Sequence, residues 1–150
     1  MREILFKAKR IDTGEWVEGY LHKCEGEFVI SNNDGLGEFI NAETLCQYTG
    51  LIDKNGQKIW ENDILLQKTT DMHWCRWQCT GIVKYGKHDW NEGEYGYDSV
   101  GFYIEPIVKK GDIVRMSCGV CQDYFIDENY PYEVIGNIFD NPELLEGGGA

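Results

Sequence analysis

The sequence predicts an all-β fold in which a short C-terminal helix is the one helical element. Short apolar stretches recur at roughly eight- to twelve-residue spacing, which is typical of a barrel or a sandwich. The chain has 18 Gly but only 3 Pro, as expected for many tight turns between strands. No stretch keeps a helical apolar period beyond about two turns. Aromatic residues, 13% of the chain, suit the half-buried faces of strands.

The first part of the chain reads as short strands separated by polar turns. The predicted strands cover residues 4–9, 16–21, 28–30 and 38–40. The turn Asp12-Thr13-Gly14 separates the first two, and the loop 31–37 is rich in Asn, Asp and Gly. Residues 43–47 are interpreted as a further strand in preference to a helical turn.

A hairpin between Tyr48 and Leu66 is the clearest local signal. Asp53 stands where a type I turn prefers Asp, and Gly56 stands where the backbone needs a positive φ. A two-residue turn centred on Asn55-Gly56 is the alternative. In both cases residues 51–52 are expected to return against residues 59–60.

The second part of the chain predicts further strands and a short terminal helix. The strands begin at residues 63, 80, 100, 112, 124 and 133, and residues 86–99 form a long loop rich in Gly, acidic and aromatic residues. Asn141-Pro142-Glu143 resembles a capped helix start leading into Leu145. Residues 1–146 are expected to form one domain, with two β subdomains meeting near residues 45–60 as the open alternative. Residues 147–150 are expected to be a flexible tail.

Charge disfavours several classes of function. The formal net charge of −12 repels phosphate backbones and anionic membranes, so neither direct nucleic-acid binding nor membrane binding is expected. The N-terminal residues carry no apolar run long enough for a signal peptide. We therefore expect a cytoplasmic protein whose 6 Cys are reduced.

Several motif-like segments lack the residues that their chemistry needs. The segment 81–88 approaches a phosphate-binding loop, but His88 replaces the Ser or Thr that holds magnesium, and the segment reads as strand. The acidic turn at residue 53 has Lys58 where a calcium loop requires Gly. Glu61 and Asp63 would suit magnesium only with a third partner, so they are interpreted as solvated charges. No nucleophile is placed beside a histidine, and no catalytic residue or cofactor is assigned.

The cysteines suggest a metal site only weakly. Cys75 and Cys79 form one close pair and Cys118 and Cys121 a second, and two such pairs can hold zinc. If residues 74–80 are extended, the first pair lies about 13 Å apart at ~3.3 Å per residue, too far for one metal ion. No metal ligand is therefore assigned, and the cysteines are interpreted as small apolar residues.

The aromatic residues of the second half are the best candidates for partner binding. Long loops are frequently functional, and aromatic side chains anchor protein interfaces. Trp74 and Trp77 fall on opposite faces if their stretch is a strand. Trp90, Tyr95 and Tyr97 lie in the long loop. The alternative is that these rings fold back over a small core.

Three blocks in order carry a family resemblance. They are Met1 to Ala8, residues 47–65 with Tyr-Thr-Gly-Leu-Ile-Asp-Lys-Asn-Gly and Ile-Trp-Glu-Asn-Asp-Ile-Leu, and Glu133 to Leu145. This set resembles the YopX family of phage and prophage proteins over almost the whole chain. Asn62 departs from the family pattern, which more often has Gly there. The resemblance implies a mostly β protein with an SH3-like small barrel plus additional antiparallel hairpins, self-association and no assigned catalytic residue.

Three functions are compatible with these observations. The first is a non-enzymatic accessory protein of a phage or prophage that acts by protein–protein contact and forms homo-oligomers through strand edges or aromatic loops. The second is an acidic decoy for a host DNA-handling protein, which requires acidic side chains gathered on one face. The third, ranked last, is a zinc- or magnesium-dependent enzyme acting on nucleic acid.

Overall fold

The structure is a computed structural model that describes residues 3–69, 77–89, 98–107 and 132–146. As predicted, it is a β protein: strands make up 61% of it, and the described residues contain no helix of seven residues or more. None of their helices is long and apolar enough to cross a membrane. In chain order the strands are β1 (Phe6–Lys9), β2 (Trp16–Cys24), β3 (Glu27–Ser31), β4 (Gly37–Phe39), β5 (Cys46–Ile52), β6 (Lys58–Trp60), β7 (Asp63–Thr69), β8 (Trp77–Asp89), β9 (Asp98–Pro106) and β10 (Tyr132–Asn137).

The described strands form two antiparallel sheets. One has the order β4-β3-β2-β1-β5-β6, and the other has the order β10-β7-β8-β9. The chain divides into two compact units, Met1–Leu51 and Ile52–Ala150, with the division inside β5. The SH3-like barrel that the family resemblance implies is not confirmed by this architecture.

In the first unit, the strands β1 to β4 pair antiparallel in chain order, and the end of β4 returns to the end of β1. β1 pairs with β2, β2 with β3, and β3 with β4. A bridge between Arg10 and Ile40 then connects the end of β4 to the end of β1. The buried centre of this unit contains Ala8, Ile30 and Ile40. Packed against it are Phe6, Val17, Leu21, Phe28 and Leu45.

β1 follows the alternation that its sequence predicts. Ala8 is fully buried, while the ammonium groups of Lys7 and Lys9 lie 4.9 and 5.4 Å from the centroid of the Trp16 ring. A cation over an indole face is attracted by the ring quadrupole. The basic face of the strand is therefore satisfied by a neighbouring aromatic side chain on β2.

A single 3₁₀ turn occupies the start of the segment that the sequence suggests as a strand. The turn covers Ala42–Thr44, and β5 begins only at Cys46. Asn41 stabilises it by accepting a 3.0 Å hydrogen bond from the N–H of Glu43. Thr44 then donates its hydroxyl to the carbonyl of Asn41 at 2.7 Å. These local side-chain bonds compete with strand formation, as is typical of Asn and Thr.

The second unit is built on the sheet β10-β7-β8-β9. Its buried side chains include Ile64 and Leu65 of β7, Val83 of β8 and Ile104 of β9, each at most 4% exposed. Residues on β7 pair with both neighbours, and β10 carries a register shift between Val134 and Gly136. Ile64 and Leu65 are consecutive in β7 and lie on opposite faces, so this strand is buried on both faces of the sheet.

The turn at Asp53 is of the predicted type, and it has a distant partner that the sequence does not indicate. The N–H of Gly56 donates to the carbonyl of Asp53 at 3.0 Å, and Gly56 has φ +81°. Asn55 is not among the positive-φ residues, so a two-residue type I′ turn is excluded. The Asp53 carboxylate accepts hydrogen bonds from Asn55 and Gln57 and, across the second unit, from the N–H of Val134 at 3.0 Å.

Asn62, which stands where the family pattern more often has Gly, adopts the left-handed conformation with φ +69°. Its N–H donates to the carbonyl of Val83 at 2.8 Å, and its carbonyl accepts the N–H of Ile138 at 3.1 Å. The next residue, Asp63, is 2% exposed and accepts the N–H of Trp60 at 2.8 Å. The interpretation of Asp63 as a solvated charge is therefore wrong, because its carboxylate closes this turn.

We expect Asn62→Ala to lower the free energy of unfolding by about 1 kcal/mol, because a Cβ at positive φ is strained without the local polar contacts that favour Asn. Asn62→Gly should change it by less than about 0.5 kcal/mol, since Gly adopts this φ freely. Urea unfolding followed by tryptophan fluorescence measures both. Equal losses for Ala and Gly would show that the Asn side chain, and not its backbone conformation, stabilises the turn.

The predicted C-terminal helix is absent, and a 3₁₀ turn over Pro142–Leu144 takes its place. Asn141 makes no side-chain cap bond to this turn. Its side-chain oxygen instead accepts the N–H of Asn137 at 3.2 Å, while its own N–H donates to the Asn137 carbonyl at 3.0 Å. The prediction failed because the expected capping side chain closes the preceding turn. The residues after Leu145 read Glu-Gly-Gly-Gly-Ala, and glycine disfavours continuation of a helix.

Candidate interaction surface

The antiparallel strands β8 and β9 of the second unit carry an exposed apolar surface. Their register pairs Val83 with Ile104 and Tyr85 with Phe102. Directly opposed residues share a face, and so do residues two apart along a strand. The same face therefore continues to Lys87 and its opposite residue Val100.

This face changes from core to surface along the hairpin. Val83 is fully buried and Ile104 is 4% exposed, whereas Tyr85 is 54% and Val100 is 70% exposed. We name the residues Tyr85, Val100 and Phe102 the hairpin strip. Tyr85 and Phe102 pack edge to face, with ring centroids 5.0 Å apart and an interplanar angle of 69°. The packing holds both rings in place, as expected for T-shaped aromatic pairs.

The hairpin carries charged residues on both faces. On the face opposite the strip, Lys84 bonds to Glu105 at 2.6 Å, and this hydrogen bond raises the pKa of the lysine above its ordinary value. On the face of the strip, the pairs from residue 83 to residue 87 include Lys87 and no acidic residue, and the next pair of the same register is Asp89 with Asp98. The strip itself therefore contains no acidic residue, and two acidic residues follow it in the register of a chain with a net charge of −12.

The strip is not among the candidate sites that the sequence predicts, although strands are predicted over most of it. The sequence does indicate which residues share this face, because Val83, Tyr85 and Lys87 are two residues apart along β8 and lie on the same side of the strand. What a sequence does not show is where on a strand the core ends. The prediction of a long loop over residues 86–99 is partly wrong, because β8 continues to Asp89 and β9 begins at Asp98.

The predicted partner-binding aromatics lie mostly outside the described residues. Trp90, Tyr95 and Tyr97 belong to the segment 90–97 that connects β8 to β9, and Trp74 precedes β8. Trp77 begins β8, where its backbone opposes Thr69. The interface role of these five residues stays a prediction, and three of them lie in the sequence between Tyr85 and Val100 of the strip.

The metal hypothesis also stays a prediction. Cys75, Cys118 and Cys121 lie outside the described residues, and of Cys79 only the backbone is placed, opposite Gln67 on β7. Within the described part of the chain, no three His, Cys, Asp or Glu side chains are grouped to hold a metal ion. Glu61 lies in the turn in which the carboxylate of Asp63 accepts a hydrogen bond from the N–H of Trp60.

Fold and surface together define a small protein of two antiparallel β sheets with an exposed apolar hairpin. The chain belongs to the YopX family: the family model described as YopX protein matches residues 2–146. Family membership confirms the resemblance seen in the three sequence blocks.

One solved structure is similar over nearly the whole chain. It is the crystal structure of protein EF1440 from Enterococcus faecalis, with 23% sequence identity and a TM-score of 0.49. The match covers 97% of this chain and 100% of the other. A search of curated proteins finds no match.

Proposed function

We propose that this protein is a non-enzymatic accessory protein of a phage or prophage that acts by protein–protein contact. The resemblance to the YopX family supports the origin, and the exposed hairpin strip supports the mode of action. In this proposal the strip is an interface, and its partner is a second copy of the chain. The observation that carries it is the continuation of a core face into Tyr85 and Val100, which are 54% and 70% exposed.

Exposure of this kind has a physical cost that an interface removes. Scattered surface apolar residues are ordinary, but contiguous ones next to a strand edge mark interaction sites. β9 is an end strand of the four-stranded sheet formed by the described residues. Antiparallel addition of a second β9 around Phe102 would extend this sheet and bring two strips onto one continuous face.

Charge also favours a second copy at this place. Two chains of net charge −12 repel each other, so contact requires a surface where acidic side chains are few. The strip residues Tyr85, Val100 and Phe102 include no acidic residue, Lys87 stands opposite Val100, and Glu105 forms an ion pair with Lys84 at 2.6 Å. A two-fold contact of this kind is self-complementary and closes as a dimer instead of growing into a filament.

Val100→Glu tests the proposal. We expect the wild type to dimerise at about 100 µM and the variant to raise the dimer dissociation constant at least about tenfold, because a desolvated carboxylate replaces an apolar contact. Sedimentation velocity over a concentration series measures this. Ile4→Glu is the matched control, since it adds the same charge at a residue of the first unit that is 55% exposed. A monomeric wild type at all concentrations, or equal effects of the two variants, would contradict the proposal.

A further inference from the structure

A second surface, in the first unit, forms a shallow groove of about 430 Å³. We name it the Ile11 groove. It is lined by Ile11, Asp12, Glu27, Glu38 and Phe39. These residues come from the turn after β1, the start of β3 and the short strand β4, and they have no member in common with the hairpin strip.

Backbone pairing fixes the shape of the groove. The N–H of Ile11 donates to the carbonyl of Phe39 at 3.1 Å, beside the bridge between Arg10 and Ile40. The N–H of Asn41 donates to the carbonyl of Lys9 at 2.8 Å on the other side of that bridge. The turn after β1 is therefore held against β4 by the pairing that returns β4 to β1.

The apolar part of the groove is unusually open to solvent. Ile11 is 62% exposed and Phe39 is 51% exposed, although their backbones are hydrogen-bonded to each other. Because their backbones are already paired, a partner that covers them pays no entropy to order the backbone at this place. The pair can therefore anchor a bulky apolar side chain from another molecule.

The rim of the groove is acidic. Of its three carboxylates, two bond to the guanidinium of Arg10, that of Asp12 at 3.0 and 2.8 Å and that of Glu38 at 3.1 Å. The hydrogen bond from Arg10 lowers the pKa of the Asp12 carboxyl, which therefore stays ionised. Glu27 lies outside this network and is exposed. One positive charge against three negative charges leaves a negative rim around an apolar floor.

We propose that the Ile11 groove binds a segment of a partner protein in which a Lys or Arg neighbours a bulky apolar side chain. The apolar side chain covers Ile11 and Phe39, and the basic group pairs with Glu27 at the rim. Nucleic acid and anionic lipid are unsuitable occupants, because their phosphates would face the carboxylates.

The test uses the full chain, uniformly labelled with ¹⁵N, and capped model peptides. The probe is Leu-Arg-Leu-Arg; Gly-Arg-Gly-Arg removes its apolar side chains, and Leu-Glu-Leu-Glu reverses its charge. Amide chemical shifts followed during titration give both the site and the dissociation constant. We expect the probe to shift the amides of Ile11, Glu27 and Phe39, and both other peptides to bind at least about tenfold more weakly.

Variants of the chain separate a built groove from general charge attraction. Phe39→Ala should weaken the probe about tenfold, and Tyr20→Ala, which removes another half-exposed aromatic of the first unit (50% exposed), should leave it unchanged. Glu27→Gln should weaken it about two- to fivefold, as an exposed ion pair allows, and the exposed Glu43→Gln should not. Absence of shifts with the probe, equal binding of Gly-Arg-Gly-Arg, or equal effects of Phe39→Ala and Tyr20→Ala would overturn the proposal.

Discussion

Replacing Asp53 with Ala is expected to lower the free energy of unfolding by about 3–4 kcal/mol, a large part of the stability of a small protein. The side chain is 6% exposed, and its two oxygens accept three backbone hydrogen bonds of 2.8, 2.9 and 3.0 Å. Hydrogen bonds to an ionised acceptor contribute about 1.5–3 kcal/mol each. Truncation removes all three and leaves partly buried N–H groups without this acceptor.

Asp53→Asn should cost less, about 2 kcal/mol, because one amide oxygen can still accept from Asn55 and Gln57. The amide nitrogen would then face the N–H of Val134, where two donors oppose each other. Asp34→Ala is the matched control: it removes one negative charge from an exposed turn residue and should change stability by less than about 0.5 kcal/mol. Urea unfolding followed by tryptophan fluorescence measures the series. A loss for Asp53→Ala no larger than that for Asp34→Ala would contradict the assigned role.

The pH dependence of the same carboxylate gives an independent test. Burial alone would raise the pKa of Asp53, but the backbone N–H groups of Val134, Gln57 and Asn55 outweigh it and hold the pKa below its ordinary value of 3.8. The folded state therefore favours the ionised form. Its contribution is complete above pH 3.8 and is lost as the pH falls through the lower folded pKa. The stability difference between wild type and Asp53→Asn should be constant from pH 5 to 7 and should shrink below pH 4.

Local signals explain what the sequence could predict. Asp followed three residues later by Gly predicts the turn at residue 53. At position 62 the family pattern more often has Gly, which favours a positive φ that Asn also tolerates. Both turns depend only on residues close together in the sequence. The distant residues that form hydrogen bonds with these turns cannot be predicted from such local signals. Val134 lies 81 residues from Asp53, and Ile138 bonds to Asn62 from a distant part of the chain. Two of the three sequence blocks that identify the family thus contact each other within the second unit.

The Ile11 groove shows why the candidate site was not predicted. Its residues come from three separate places in the first unit, and they meet only because the Arg10–Ile40 bridge returns β4 to β1. A register of this kind depends on which strands pair, and alternation along one strand gives no information about it. Exposed apolar residues such as Phe39 also look the same in a sequence as buried ones. The aromatic-rich loop is therefore the candidate that the sequence favours instead.

Gly19→Ala is the second substitution with a large expected effect, about 3 kcal/mol of lost stability. Gly19 lies in β2, and a Cβ built on it would approach the carbonyl oxygen of Ser31 to 2.2 Å and the carbonyl carbon to 2.9 Å. Real Cβ atoms do not approach backbone so closely, so β3 would have to move away from β2. That movement would also displace Ile30, which is 2% exposed and belongs to the centre of the first unit.

Gly101→Ala is the matched control for this prediction. Gly101 also lies in a strand, but a Cβ there meets no atom within 4 Å, and its φ is not in the left-handed region. Ala at such a site should be neutral or stabilise by up to about 1 kcal/mol, because it restricts the unfolded chain. Thermal and urea unfolding of both variants give the comparison, and amide hydrogen exchange at Ile30 reports the local opening. If Gly19→Ala matched Gly101→Ala in stability and exchange, the close approach of β2 and β3 would be wrong.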